Sequence, residues 1–206
     1  MCIRDRHNIL LDMYESYLHT FINNPKVNFL KIFLIISVFF INQYLMSEKY
    51  IDIDISQQRM YLFNNNKLIK SYPVSTSSFG EGQIENSFKT PLGKHVISEL
   101  FGTNVDKNEI FVNRVLINSK AKIIDHSIDT DNDFITSRIM WLKGLEDGKN
   151  LGGNVDSYNR YIYIHGTQEE GLIGKKASHG CIRMFNHDVI ELYGLIKAGT
   201  PVNIKL

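Results

Sequence analysis

From Met46 onward the apolar residues of this chain recur at every second position, and that period is the mark of β-structure. Ile51, Ile53 and Ile55 alternate with Asp52 and Asp54, as in a strand with one buried face. Arg59 to Phe63 and Lys67 to Val74 flank Asn64-Asn65-Asn66, and asparagine tolerates the positive φ of a tight turn, so the stretch reads as a hairpin. Lys94 to Leu100 and Phe111 to Ile117 are further strands, and Arg160 to His165 is a strand that delivers a histidine at its tip. Two polar stretches, Ser75 to Thr90 and Ser119 to Asn159, read as long loops, which in a folded domain are usually functional or mobile. One helix is expected near the end. Asn186 is its N-cap, Asp188 suits its positive end, and Val189, Leu192, Tyr193 and Ile196 share a face. Gly199 and Pro201 close it, and Val202, Ile204 and Leu206 alternate as a last strand. The fold class is mainly β with one or two short helices.

Residues 1–46 differ in character and are set apart as a leader, with 47–206 as a single domain. The opening Met-Cys-Ile-Arg-Asp-Arg resembles translated adapter sequence. Lys26 and Lys31 then precede the apolar run Ile32 to Ile41, which has the proportions of a signal-peptide core and is short for a bilayer span. No small-x-small cleavage site or lipobox cysteine follows. Three readings stand side by side: an uncleaved signal anchor, an artefact of the gene model, and translation that begins at Met46. A net charge of +1 gives no push toward nucleic acid.

Of the two cysteines, Cys2 lies in this leader, so Cys181 has no internal disulfide partner in the domain. A lone cysteine is often only a small buried hydrophobe. Cys181, however, stands two residues after His179, with Gly180 between them. A neighbouring imidazole or a cluster of backbone N–H groups can activate a thiol in such a place. His165 ends a strand and is followed by Gly166, so it can face a thiol held by another segment, the nucleophile–base pair of covalent acyl transfer. A zinc site is the rival reading, but one thiol is few for a structural site, and no metal or cofactor is expected. His187 reads as a surface or capping residue, and His95 and His126 have no motif around them.

His165-Gly166-Thr167, Gly171 and Gly174, then Ser178-His179-Gly180-Cys181-Ile182-Arg183-Met184 with Asn186 and Asp188, resemble the L,D-transpeptidase catalytic domain of the YkuD type. Twelve residues separate His165 from Ser178, a short spacing similar to the branch found in the periplasm of Gram-negative bacteria. Gln58 to Phe63, Tyr72-Pro73-Val74-Ser75-Thr76, Thr90-Pro91-Leu92-Gly93 and Gly199-Thr200-Pro201-Val202 extend the resemblance from Lys49 to Leu206. It implies a β-sandwich or barrel with Cys181 as nucleophile and His165 as proton acceptor and donor. Ser178, His179 and Gly180 would shape the pocket and oxyanion hole, and Gly166 would orient His165 through its backbone. Arg183 would pair with a substrate carboxylate or a structural one, with substrate favoured. Trp141 belongs either to a lid or to a peripheral loop.

The resemblance further implies a thioester exchange on peptidoglycan stem peptides, with a tetrapeptide donor and a diamino-acid acceptor. The product is a cross-link or the attachment of a wall-bound lipoprotein. Water as acceptor would make the same scaffold an L,D-carboxypeptidase or a cross-link hydrolase. The expected location is the cell envelope or periplasm, with the membrane involved only through the leader.

Overall fold

The alternation at Ile51, Ile53 and Ile55 buries all three side chains, and Lys49–Asp54 forms β1. The computed structural model describes residues 49–206, so the readings of residues 1–46 lie outside the described residues. β2 (Arg59–Asn64) and β3 (Lys67–Pro73) form the expected hairpin, with Asn65 and Asn66 at φ 49° and 62°. There follow β4 (Gly93–Phe101), β5 (Glu109–Val112), β6 (Val115–Lys120), β7 (Ile135–Gly144), β8 (Tyr163–Thr167) and β9 (Ile182–Met184). The helix α1 (Asn186–Leu195) and β10 (Pro201–Lys205) complete the order.

The strands form one curled sheet, ordered β3-β2-β1-β10-β4-β7-β5-β6, with β8 paired to β7 and β9 to β8. β1–β10 and β8–β9 are parallel, and the other pairs are antiparallel. The larger core gathers Ile51, Ile53, Met60, Leu62, Ile97, Leu142, Ile164 and Ile182 against Val189 and Leu192 of α1. A second cluster joins Phe111, Ile139, Trp141 and Tyr163, and Cys181 packs against it. Among the described residues no helix is long and apolar enough to cross a membrane.

Five expectations are corrected. Phe111 to Ile117 is not one strand: Asn113 and Arg114 take φ of 49° and 68°, and a two-residue turn folds the stretch into the β5–β6 hairpin. Ser119 to Asn159 is not a continuous loop, because it contains β7, the strand against which both β4 and β8 pair. β7 is buried on both faces and so lacks the alternation that marks a half-buried strand. The strand expected at Arg160 to His165 begins only at Tyr163, since Tyr161 adopts φ 56°. Asn186 is the first helical residue, after Phe185 at the N-cap; its side chain turns inward, and Leu206 lies beyond β10.

Candidate active site

The parallel pairing of β8 and β9 brings the two sequence motifs together. His165 lies level with Arg183 and Ile164 with Ile182, so Cys181, one residue before β9, falls level with Tyr163. Paired residues and their i+2 neighbours share a face of a sheet, which puts Cys181, Tyr163, His165 and Arg183 on one side. Opposite the His165–Gly166 junction, β7 carries an irregularity: Thr136 pairs with Gly166 and Ile139 with His165, and Ser137 between them has φ 63°. Bulges of this kind bend a strand and re-aim the side chains around it.

His165 is buried, with Nδ1 2.8 Å from the carbonyl oxygen of Gly166. A carbonyl can only accept, so Nδ1 carries the proton and Nε2 is left as the basic nitrogen. Gly166, the residue expected to orient His165, is the one whose carbonyl meets the ring. Gly166 also has no room for a side chain, since a Cβ there would lie 2.6 Å from Asn186 Oδ1 and 2.8 Å from Thr136 O. Asn186 itself accepts from the hydroxyls of Thr136 and Ser137, both at 2.6 Å, and donates to Thr167 O at 2.7 Å. Burial holds the His165 imidazole below its ordinary pKa, against the pull of Asp133 and the Gly166 carbonyl.

The Cys181 thiol donates to Tyr161 O and accepts from Tyr163 N–H, each at 3.4 Å. Desolvation pushes it up to about 12, so it rests as the protonated thiol. Ser178 closes the turn before it: its hydroxyl donates to Cys181 O at 2.6 Å and receives the Gly180 N–H at 3.3 Å. Gly180 has φ 122°, a conformation that glycine adopts without strain. The turn is fastened to the loop after β3. Ala177 N and Ser178 N donate to Thr76 O, and the Thr90 hydroxyl donates to Gly180 O at 3.0 Å. The Ser75 to Thr90 stretch is thus a true loop that forms one wall of the site. His179 is exposed beside Phe79 and Phe88, with Nδ1 3.3 Å from Asp133 Oδ2.

Arg183 does not face substrate. It is fully buried, with Nη1 2.9 Å from Glu169 Oε2 and Nη2 2.5 Å from Asp133 Oδ2. Both carboxylates are the protein's own, which corrects the expected substrate pairing: at this depth the guanidinium is neutralised from within. Asp133 and Glu169 had no place in the sequence motifs. Asp133 lies within the acidic stretch 129–133, and nothing in its spacing sets it apart from its neighbours. Desolvation works to raise the Asp133 carboxyl, but Arg183, His165 and the hydrogen bonds from Arg183 and His179 hold it below the usual carboxylate range.

Trp141 belongs neither to a lid nor to a peripheral loop. It is buried on β7, stacked on Tyr158 at 3.9 Å, with its indole N–H donated to Tyr158 O. His95 is buried between Gly93 O and Ser157 Oγ, and His187 is exposed beside Asp188.

A curled β-sheet that presents a Ser-His-Gly-Cys turn beside a backbone-anchored histidine defines a class of domain, the L,D-transpeptidase-like β-domain. The family model for the YkuD L,D-transpeptidase catalytic domain matches residues 48–204, and the chain belongs to this family. YkuD of Bacillus subtilis (strain 168) is 44% identical over 61 residues, which are 27% of this chain and 37% of that protein. YqjB of the same organism is 51% identical over 55 residues, 26% of this chain and 31% of that protein. The matched stretches thus span little more than a third of these relatives. Among solved structures, an L,D-transpeptidase from Mycobacterium smegmatis is 16% identical with a TM-score of 0.47, covering 78% of this chain and 59% of that one. A cysteine-to-serine variant of the Enterococcus faecium L,D-transpeptidase is 17% identical with a TM-score of 0.47, covering 78% and 51%.

Proposed function

We propose that this domain is a peptidoglycan L,D-transpeptidase that works through a thioester on Cys181. The observation that carries the reading is the parallel register of β8 and β9, which sets the thiol and the His165 ring on one face of the sheet. Attack by Cys181 on the carbonyl of the L-centre in an L,D-peptide bond makes the acyl-enzyme. His165 Nε2 takes the thiol proton and returns it to the departing D-amino acid. Because thiol and imidazole both rest neutral, the proton moves during attack, after the S–H leaves the Tyr161 carbonyl. The N–H groups of His179 and Cys181, on either side of the Gly180 N–H held by Ser178, stabilise the oxyanion, a large contribution where the donors are fixed in advance. Gly166 orients His165, and Ser178 holds the turn in shape. The amine of a neighbouring stem peptide then resolves the thioester into a cross-link. Such substrates lie in the cell envelope, where this reading puts the domain.

The test is intact mass spectrometry after incubation with a carbapenem. A single adduct that disappears in Cys181→Ala supports the reading, and an adduct that survives the substitution overturns it. Muropeptide chromatography separates transfer from hydrolysis, since new dimers appear in the first case and existing dimers are lost in the second.

A further inference from the structure

Arg114 occupies the turn of the β5–β6 hairpin, and its guanidinium lies over two aromatic faces, 4.6 Å from the Trp141 ring centre and 5.2 Å from that of Tyr161. Nη1 donates to the Tyr163 hydroxyl at 2.9 Å. Both tyrosines are also the thiol's partners, Tyr161 through its carbonyl and Tyr163 through its N–H. Phe111 and Leu116 of the same hairpin pack into the cluster that holds Cys181. The guanidinium is therefore about one tyrosine away from the nucleophile.

The other arginines near the site are already engaged. Arg183 is paired with Glu169 and Asp133, Arg160 donates to Gly82, Gln83 and Lys89 carbonyls, and Arg138 donates to those of Val105 and Ser137. Among the described residues Arg114 meets no carboxylate, and the ionisable groups around it are Tyr163, Tyr161 and Tyr158. Beyond the Nη1 bond to Tyr163, its N–H groups meet no acceptor among the described residues, and a guanidinium fork matches a carboxylate with two parallel N–H bonds. The result is a half-exposed cation held over a tryptophan, on the far side of two tyrosines that touch the thiol.

We propose that Arg114 is a specificity-determining residue that receives a carboxylate of the substrate acylating Cys181. This inference rests on the transpeptidase reading above for its substrate class. A stem peptide offers two such groups, the terminal carboxylate of the donor and the side-chain carboxylate of a dicarboxylic diamino acid.

The test begins with a probe that does not depend on transpeptidation. Iodoacetylglycine and iodoacetylglycinamide differ by one charge, and their rates of alkylation at Cys181 are read by peptide mass spectrometry on the full chain. The wild type should favour the carboxylate reagent by about tenfold, the worth of one charge-assisted contact. Arg114→Gln should bring the ratio near one, and Arg114→Lys should retain part of it. A displaced hairpin alters both rates alike and cancels in the ratio. No preference in the wild type, or a preference that survives Arg114→Gln, overturns the proposal. Donor tetrapeptides amidated at one carboxyl or the other then identify the source: the amidation that slows acylation in the wild type but not in Arg114→Gln marks the recognised group. If neither amidation matters, the proposal falls. If no tetrapeptide acylates Cys181 at all, the transpeptidase reading falls, while the alkylation ratio still decides the role of Arg114.

Discussion

Arg183 and Glu169 form an ion pair closed to solvent, Nη1 to Oε2 at 2.9 Å with side-chain exposures of 1% and 0%. Thr130 donates its N–H and its hydroxyl to the other carboxylate oxygen of Glu169, so that oxygen is also satisfied. Removing one partner from such a pair strands a buried charge. Arg183→Met should therefore cost about 3–5 kcal/mol, and Arg183→Met with Glu169→Gln should cost clearly less than the sum of the two singles. Urea unfolding of the three variants measures this.

The rate at which a carbapenem acylates Cys181 should depend on pH through His165 alone. In the proposed mechanism the reacting form is the neutral imidazole, and burial holds its pKa below the ordinary value of about 6.5. The base is therefore already free at neutral pH. With the thiol pushed up to about 12, no thiolate titrates between pH 6 and 9. Stopped-flow rates should be flat across the neutral range and fall only on the acid side of it, by about tenfold per pH unit once His165 is protonated. A basic limb near pH 8 would contradict a thiol that rests protonated.

Asp133 raises the Cys181 thiol, acting after desolvation, while Arg183 and Arg160 pull it down. Asp133→Asn removes the opposing charge and leaves Arg183 nearer to an unmatched cation. Alkylation of Cys181 by iodoacetamide at pH 8 should then run roughly three- to tenfold faster, although a site residue has been removed. A slower reaction would mean that Asp133 matters chiefly for the shape of the His179 turn.

At Gly166 a methyl group has nowhere to go, because a Cβ meets Asn186 Oδ1 and the Thr136 backbone. Gly166→Ala should cost about 1–3 kcal/mol through overpacking. It should also slow acylation by about 100-fold, because the carbonyl that orients His165 must move. Comparing thermal unfolding with acylation rate separates the two effects.

His95 supplies an acid-sensitive element away from the site. Desolvation is the main cause that lowers it to about 4, with Gly93 O and Ser157 Oγ around the ring. Below about pH 6.5 the unfolded chain takes up a proton that the fold refuses until about pH 4. Stability is thus complete above that window and declines through it, by about 3 kcal/mol. Urea midpoints at pH 7.0 and 4.5 should show the loss in the wild type and a smaller one in His95→Gln.

What the sequence could reveal was local. Alternating isoleucines specify a half-buried strand wherever the chain folds, paired asparagines admit positive φ, and the Ser178-to-Arg183 run carries the family resemblance. β7 escaped because burial on both faces erases the alternation, and the β5–β6 turn escaped because Arg114 is not a residue that advertises positive φ. Asp133 and Glu169 gain their meaning only from distance, since each becomes part of the site by reaching Arg183.

The sequence by itself determined that a β-domain would carry Cys181, His165 and a glycine-bounded turn. Tertiary structure alone decided what surrounds them. It turned Arg183 inward onto two internal carboxylates and left Arg114 over Trp141 with none among the described residues. The physical reason is that a charged side chain's role follows from the partner it meets once water is removed, and strand pairing between distant segments chooses that partner.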